Sequence, residues 1–150
     1  MSIKKMYHYF YYKLYKFSEA APSKWLSDWK AELVLDILIL LVIVPLAVYY
    51  TLYTGNIINF KNEKLIVALY FILVSGSNFL IFHSKDQWKS IVTEFDKLPK
   101  KRNRLGGIIV GVVILFVIVN LIMCVYAMDV DAKKNHTGPY SKEVIEKSKK

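Results

Sequence analysis

Apolar and polar positions along this chain are segregated into blocks, and each block has its own period. From Ile3 to Phe17 the period is helical: at 100° per residue Ile3, Met6, Phe10, Leu14 and Phe17 fall within a stripe of about 80°. Tyr7 and Tyr11 flank the stripe, and Lys4, Lys5, Lys13 and Lys16 lie to its sides and rear. The pattern predicts an interfacial amphipathic helix over 3–17, where a ring is buried while its hydroxyl stays wet. Docking on another protein is the other arrangement such a face allows. Pro22 ends this helix by forcing Ala21 out of helical geometry, and Ser23 is placed to cap a new one. Trp25 and Trp29, one helical turn apart among Lys24 and Lys30, read as an anchor at the entrance to an apolar run.

Three apolar runs follow. Spans of about 33–53 and 65–82 would reach about 31 Å and 27 Å as helices, against a hydrocarbon core of roughly 30 Å, and a third over 105–128 is the longest. Pro45 cannot donate to the carbonyl of Leu41, which predicts a modest kink in the first span. Gly55-Asn56 marks a turn after it. Between the second and third runs, Trp88, Ile91, Val92, Phe95 and Leu98 recur at helical spacing, predicting a second amphipathic segment that stops at Pro99. The expected fold is all-α: a helical integral membrane protein with three transmembrane helices and an N-terminal interfacial amphipathic helix. Residues 1–128 form a single membrane domain, and 129–150 a polar lysine-rich tail with a Gly138-Pro139 break and room for a short helix from Ser141.

Charge adds orientation to this outline. The net charge is +9, but the cations adjoin apolar runs instead of covering a soluble scaffold, so anionic membrane lipids are the expected partner and nucleic acid is not. Lys97, Lys100, Lys101, Arg102 and Arg104 form a lipid-facing basic cluster immediately before the third run. Lysine and arginine number six before the first run, two in the first loop, seven in the second loop and six in the tail, so thirteen oppose eight across three spans. The positive-inside rule then predicts a cytoplasmic N-terminus and second loop, with the tail outside. About thirty polar and aromatic residues precede the first run and no small-residue cleavage pattern follows it, so that run is expected to remain as an anchor.

The stretch from His83 to Ile122, with TEFDKLPKKRNRLGGIIVGVVILFVIVNLI at its centre, together with YYKLYKF near the start and WKAE before the first span, resembles an uncharacterised family of short multi-pass bacterial integral membrane proteins. The resemblance covers about four-fifths of the chain, the lysine-rich tail excepted. It implies a small multi-pass membrane protein of the bacterial envelope and carries no activity or residue role; with the charge pattern, the expected location is the bacterial inner membrane.

Candidate chemistry is sparse. No nucleophile elbow, Walker A sequence, H-E-x-x-H motif or metal-ligand spacing occurs, and the single cysteine, Cys124, sits in an apolar run, so no enzyme, metal or cofactor is expected. His83 and Asp86 share a helix face at i, i+3, a surface pair by itself. Asp36, one turn inside the first span and four residues after Glu32, is expensive to insert alone, so a pairing with His83, Lys101, Arg102 or Arg104 is expected, pinning the first span to the third. Asn78, with Ser75, and Asn120 are expected to bond across helices, and Gly107 and Gly111 form a G-x-x-x-G pair for close packing. Asn120 projects about 180° from Gly111, so the third span is expected to use two faces, for packing within the monomer or for a homo-oligomer. These features point to a small non-enzymatic interaction or accessory subunit of an envelope complex, or an immunity-type protein. The alternative is an oligomeric channel or a proton or ion relay through Asp36 and His83.

Overall fold

The computed structural model describes residues 2–22, 25–55 and 63–141, and the helical content foreseen in the sequence is present throughout them. Ser23, Asn56 of the first turn and the tail after Ser141 lie outside the described residues. Among the described residues six α-helices follow in order: α1 Ile3–Ala20, α2 Ser27–Thr54, α3 Glu63–Tyr70, α4 Gly76–Phe82, α5 Gln87–Asp96 and α6 Lys100–Asn135. Among the same residues, three stretches are long and apolar enough to cross a membrane: Ser27–Thr54, Lys64–Phe82 and Lys100–Tyr140.

The caps follow from the local sequence. Ser2 caps α1 by accepting from the Lys5 amide at 3.4 Å, and Ala21 is extended at ψ 155°, as the following Pro22 requires. The helix reaches Ala20, three residues past the predicted end. α2 begins at Ser27, earlier than the apolar run, and continues through Pro45 as one helix of 28 residues. α6 contains 36 residues, about 54 Å, and extends beyond the expected 105–128 at both ends. Its first turns therefore carry Lys100, Lys101, Arg102 and Arg104, and the helix continues into what the sequence presented as tail.

Between α3 and α4 the chain makes a π-helical turn at Phe71–Ser75, closed by the Gly76 amide bonding to the carbonyl of Phe71. Such a turn takes in about one residue more than an α-turn. Tyr70 and Asn78, eight positions apart, are thereby brought near one face and both reach Asp36. After α4, Lys85 and Asp86 are both left-handed, at φ 57° and 55°, and this sharp corner redirects the chain into α5. Asp86 pairs there with Lys89 at 2.9 Å, so the expected His83–Asp86 face does not form.

The described residues divide into two compact units. The first holds α1, the opening half of α2, α3 to α5 and the opening half of α6. Its core is Tyr11, Tyr12, Leu14, Ala31, Leu35, Phe82, Ile91 and Phe95, so α1 and α5 pack onto their own chain. Tyr11 stacks on Phe82 with centroids 3.9 Å apart, and Phe95 lies against Tyr9 and Tyr12. The edge of α1 carrying Ile3, Met6 and Phe17 stays exposed. The second unit holds the remainder of α2 and α6, where Tyr49 donates to the carbonyl of Asn120 at 3.2 Å. At its far end Asp129 accepts from Tyr140 at 2.7 Å and pairs with Lys133 at 2.7 Å.

The buried positions of α6, Val110, Val117 and Cys124, recur every seven residues and so lie on one side of that helix. The expected close packing at the glycine pair does not form: a Cβ at Gly111 would meet nothing within 4 Å, and one at Gly107 would meet only the Lys13 side chain, at 3.5 Å. Gly106 is the closely packed glycine, because a Cβ there would overlap the Tyr9 phenol.

Candidate functional site

The polar groups of the first unit converge on α2. Asp28, Glu32 and Asp36 are spaced i, i+4, i+8 and so project from one face of that helix. Glu32 and Asp36 are 6% and 8% exposed, which makes partners for them obligatory. α4 supplies those partners. His83 places Nδ1 2.7 Å from Glu32 Oε2 and Nε2 3.3 Å from Asp28 Oδ2, while Asn78 donates from Nδ2 to Asp36 Oδ1 at 2.5 Å.

The imidazole is held by its neighbours: Phe79 stacks parallel to it at 5.3 Å and Trp29 lies against it at 4.8 Å. Each ring nitrogen faces a carboxylate, so the imidazolium satisfies both with one N–H each. A neutral ring leaves one nitrogen facing a carboxylate lone pair unless that carboxyl takes up the proton. Glu32 Oε2 and His83 Nδ1 are both buried and, apart from this contact, have no other partner among the described residues.

Tyrosines of α1 close the cluster. Tyr7 donates to Asn78 Oδ1, and Tyr11 donates to the carbonyl of Asp28 at 3.3 Å. Burial, outweighing the Asn78 hydrogen bond and reinforced by Asp36 and Glu32, pushes the Tyr7 hydroxyl up to about 12. Burial likewise raises Tyr11, with Asp28 and Glu32 adding to the effect, so both remain neutral donors at physiological pH. From α3, Tyr70 donates to the carbonyl of Asp36 at 2.6 Å.

A second polar group joins α1 to α5 and α6. Tyr12 donates to Asp96 at 2.8 Å and accepts from Asn103 Nδ2 at 3.0 Å, and Tyr9 donates to the carbonyl and side-chain oxygens of Asn103, both at 3.1 Å. Lys16 completes it on Asp96 at 3.1 Å.

The sequence singled out Asp36, Asn78 and His83, and all three belong to the first cluster, but not in the expected pairing. The group on the Asp36 carboxylate is the Asn78 amide, not His83, Lys101, Arg102 or Arg104, because the α3–α4 register delivers Asn78 to that depth. His83 instead serves Glu32 and Asp28. Arg104 is exposed on the first turns of α6 with Lys100, Lys101 and Arg102, and Lys97 is exposed just before them. Asn120 contributes its backbone carbonyl to Tyr49. Tyr7 and Tyr11, expected at the head-group level, bond inside the protein instead, while Tyr70 and Asn103 carry no sequence signal and Asp28 is marked only by the i, i+4, i+8 acid repeat. Among the described residues, no three His, Cys, Asp or Glu side chains are grouped to hold a metal ion.

Comparison of the chain with protein-family models, with curated proteins and with solved structures gives no match.

Proposed function

We propose that this protein is a non-enzymatic interaction or accessory subunit of a bacterial inner-membrane complex, a role that includes intercepting a membrane-active toxin as an immunity-type protein does. The observation that carries this reading is the fixing of α1. Four of its tyrosine hydroxyls, on Tyr7, Tyr9, Tyr11 and Tyr12, bond to α4, α6, α2 and α5, so α1 and α5 form one preorganised surface beside the spans. A rigid surface is what a binding partner exploits, since less ordering is lost on association. The charge distribution supports a cytoplasmic position for this surface, with the tail outside. Photo-crosslinking in living cells tests the role: a photoreactive residue at Ser90 or Thr93, on the polar face of α5, is expected to give a discrete protein adduct, and one at Ile118 is not. Adducts of equal yield at both positions, or at neither, would contradict it.

The His83 trio supports a second reading, in which the same membrane domain passes or stores a proton through His83 and Glu32, with Asp36 one turn further along α2. Proton flux in proteoliposomes that is lost in both Glu32→Gln and Asp36→Asn would favour this reading over the first. Wild-type liposomes as tight as protein-free ones would remove it.

A further inference from the structure

We propose that α1 and the start of α6 together form a binding site for one anionic phospholipid, with its head-group phosphate between Lys13 and Arg104. The inference deepens the reading of the basic cluster as a contact with the membrane surface and rests on it.

Lys13 is the starting point. On the same helix Lys5 and Lys16 each find a carboxylate within 3.4 Å. The Lys13 ammonium has none among the described residues; it stands 5.5 Å from the ring centroids of both Tyr9 and Tyr12, beside Gly107 of α6. Partial burial, without a compensating anion, holds it below the ordinary lysine value. A half-buried cation surrounded by rings and glycine backbone is electrostatically incomplete, and an anion in front of it completes it.

α6 brings further positive charge to the same place. Arg104 precedes Gly107 by three residues and Lys100 by seven, so both lie on the strip of α6 that runs past Lys13. Arg104 is about one turn from Gly107 along the axis, within side-chain reach of a phosphate held by Lys13. These cations do nothing for α6 itself, since the positive end of a helix disfavours them. Their placement makes sense for an external anion.

The surroundings distinguish a lipid from a free anion. Met6 and Phe17 on the exposed edge of α1, and Leu105 and Ile108 on α6, are 58%, 79%, 60% and 57% exposed. Met6 and Phe17, close in helical angle to Lys13 on α1, and Ile108, next to Gly107 on α6, supply apolar surface for acyl chains. Charge complementarity and adjoining apolar surface together commit the occupant to a phospholipid with a net negative head group.

The test uses the full chain in nanodiscs of phosphatidylcholine mixed with phosphatidylglycerol, reading by native mass spectrometry which lipid remains bound. The wild type is expected to retain phosphatidylglycerol selectively. Lys13→Gln with Arg104→Gln should weaken that retention about twenty-five-fold, from roughly fivefold per cation. Lys13→Arg should preserve it, as should Lys4→Gln, which removes an equal charge elsewhere on α1. No lipid preference in the wild type would overturn both the membrane-surface reading and the site. Preference surviving in the double variant, or falling equally in Lys4→Gln, would overturn the site alone, as would displacement of the bound lipid by inorganic phosphate.

Discussion

Gly106 and Gly111 are five residues apart on one helix, yet their surroundings make opposite demands. A methyl group at Gly106 displaces the Tyr9 ring and breaks its two bonds to Asn103, so Gly106→Ala is expected to cost about 1–3 kcal/mol in detergent unfolding. Gly111→Ala meets open space and should be neutral or stabilising by up to about 1 kcal/mol. Equal effects at the two sites would contradict the packing described. Tyr7 gives a prediction in pH. Its hydroxyl is raised from 10.0 to about 12, so the fold favours the neutral form, and the stability gained is complete below about pH 10 and lost as pH rises through about 12. Tyr7→Phe has no such group, so its stability should fall less steeply than the wild type's between those limits. Parallel alkaline unfolding curves would place Tyr7 outside the buried network. The individual residues were only partly legible in the sequence. Asp36 and Asn78 stood out as polar groups in apolar runs, but the choice between Asn78 and a distant arginine as the partner of Asp36 depends on register between helices, which periodicity does not encode. Gly106, Gly107 and Gly111 are alike in a sequence and differ only in what faces them.

Amphipathic periodicity marks a face that must be covered without saying by what, and α1 shows the consequence at the level of elements. The stripe of Ile3, Met6, Phe10, Leu14 and Phe17 suggested a helix lying on lipid. In the structure, the face centred on Tyr11 is covered by the protein's own chain, and Ile3, Met6 and Phe17 remain at its exposed edge. α5 was read correctly as amphipathic, with Ile91 and Phe95 buried, because its apolar positions are strong and Pro99 bounds it. The π-helical turn at Phe71–Ser75 had no sequence signal, since no proline or paired glycine interrupts the run there. It nevertheless sets the depth of Asn78, so Asn78→Leu should leave the Asp36 carboxyl buried without its donor and cost about 1–3 kcal/mol. Adding Asp36→Leu should recover part of that loss, since two apolar groups leave no unsatisfied donor or acceptor. A double variant less stable than Asn78→Leu would show that the pair does more than satisfy each other.

For the whole molecule, the number of membrane-competent helices was legible because each apolar run is long and bounded by charge. What the runs did not show is how far the long helices extend beyond them: α2 starts at Ser27, and so places Asp28 and Glu32 on the same face as Asp36. Reporter fusions after Lys150 and in the second loop, read for compartment, are expected to fall on opposite sides of the membrane, the loop inside. A cytoplasmic reporter after Lys150 would contradict an odd number of crossings. α1 is packed onto the same chain as the apolar helices and, with α5, is proposed as a preformed surface. Amide hydrogen exchange of the full chain in lipid nanodiscs tests this most directly. Amides of α1 are expected to exchange as slowly as those of α5 in the wild type, and Tyr7→Phe combined with Tyr12→Phe is expected to accelerate α1 while α2 stays protected. Rapid exchange across α1 in the wild type, as for a helix lying free on the bilayer, would contradict it.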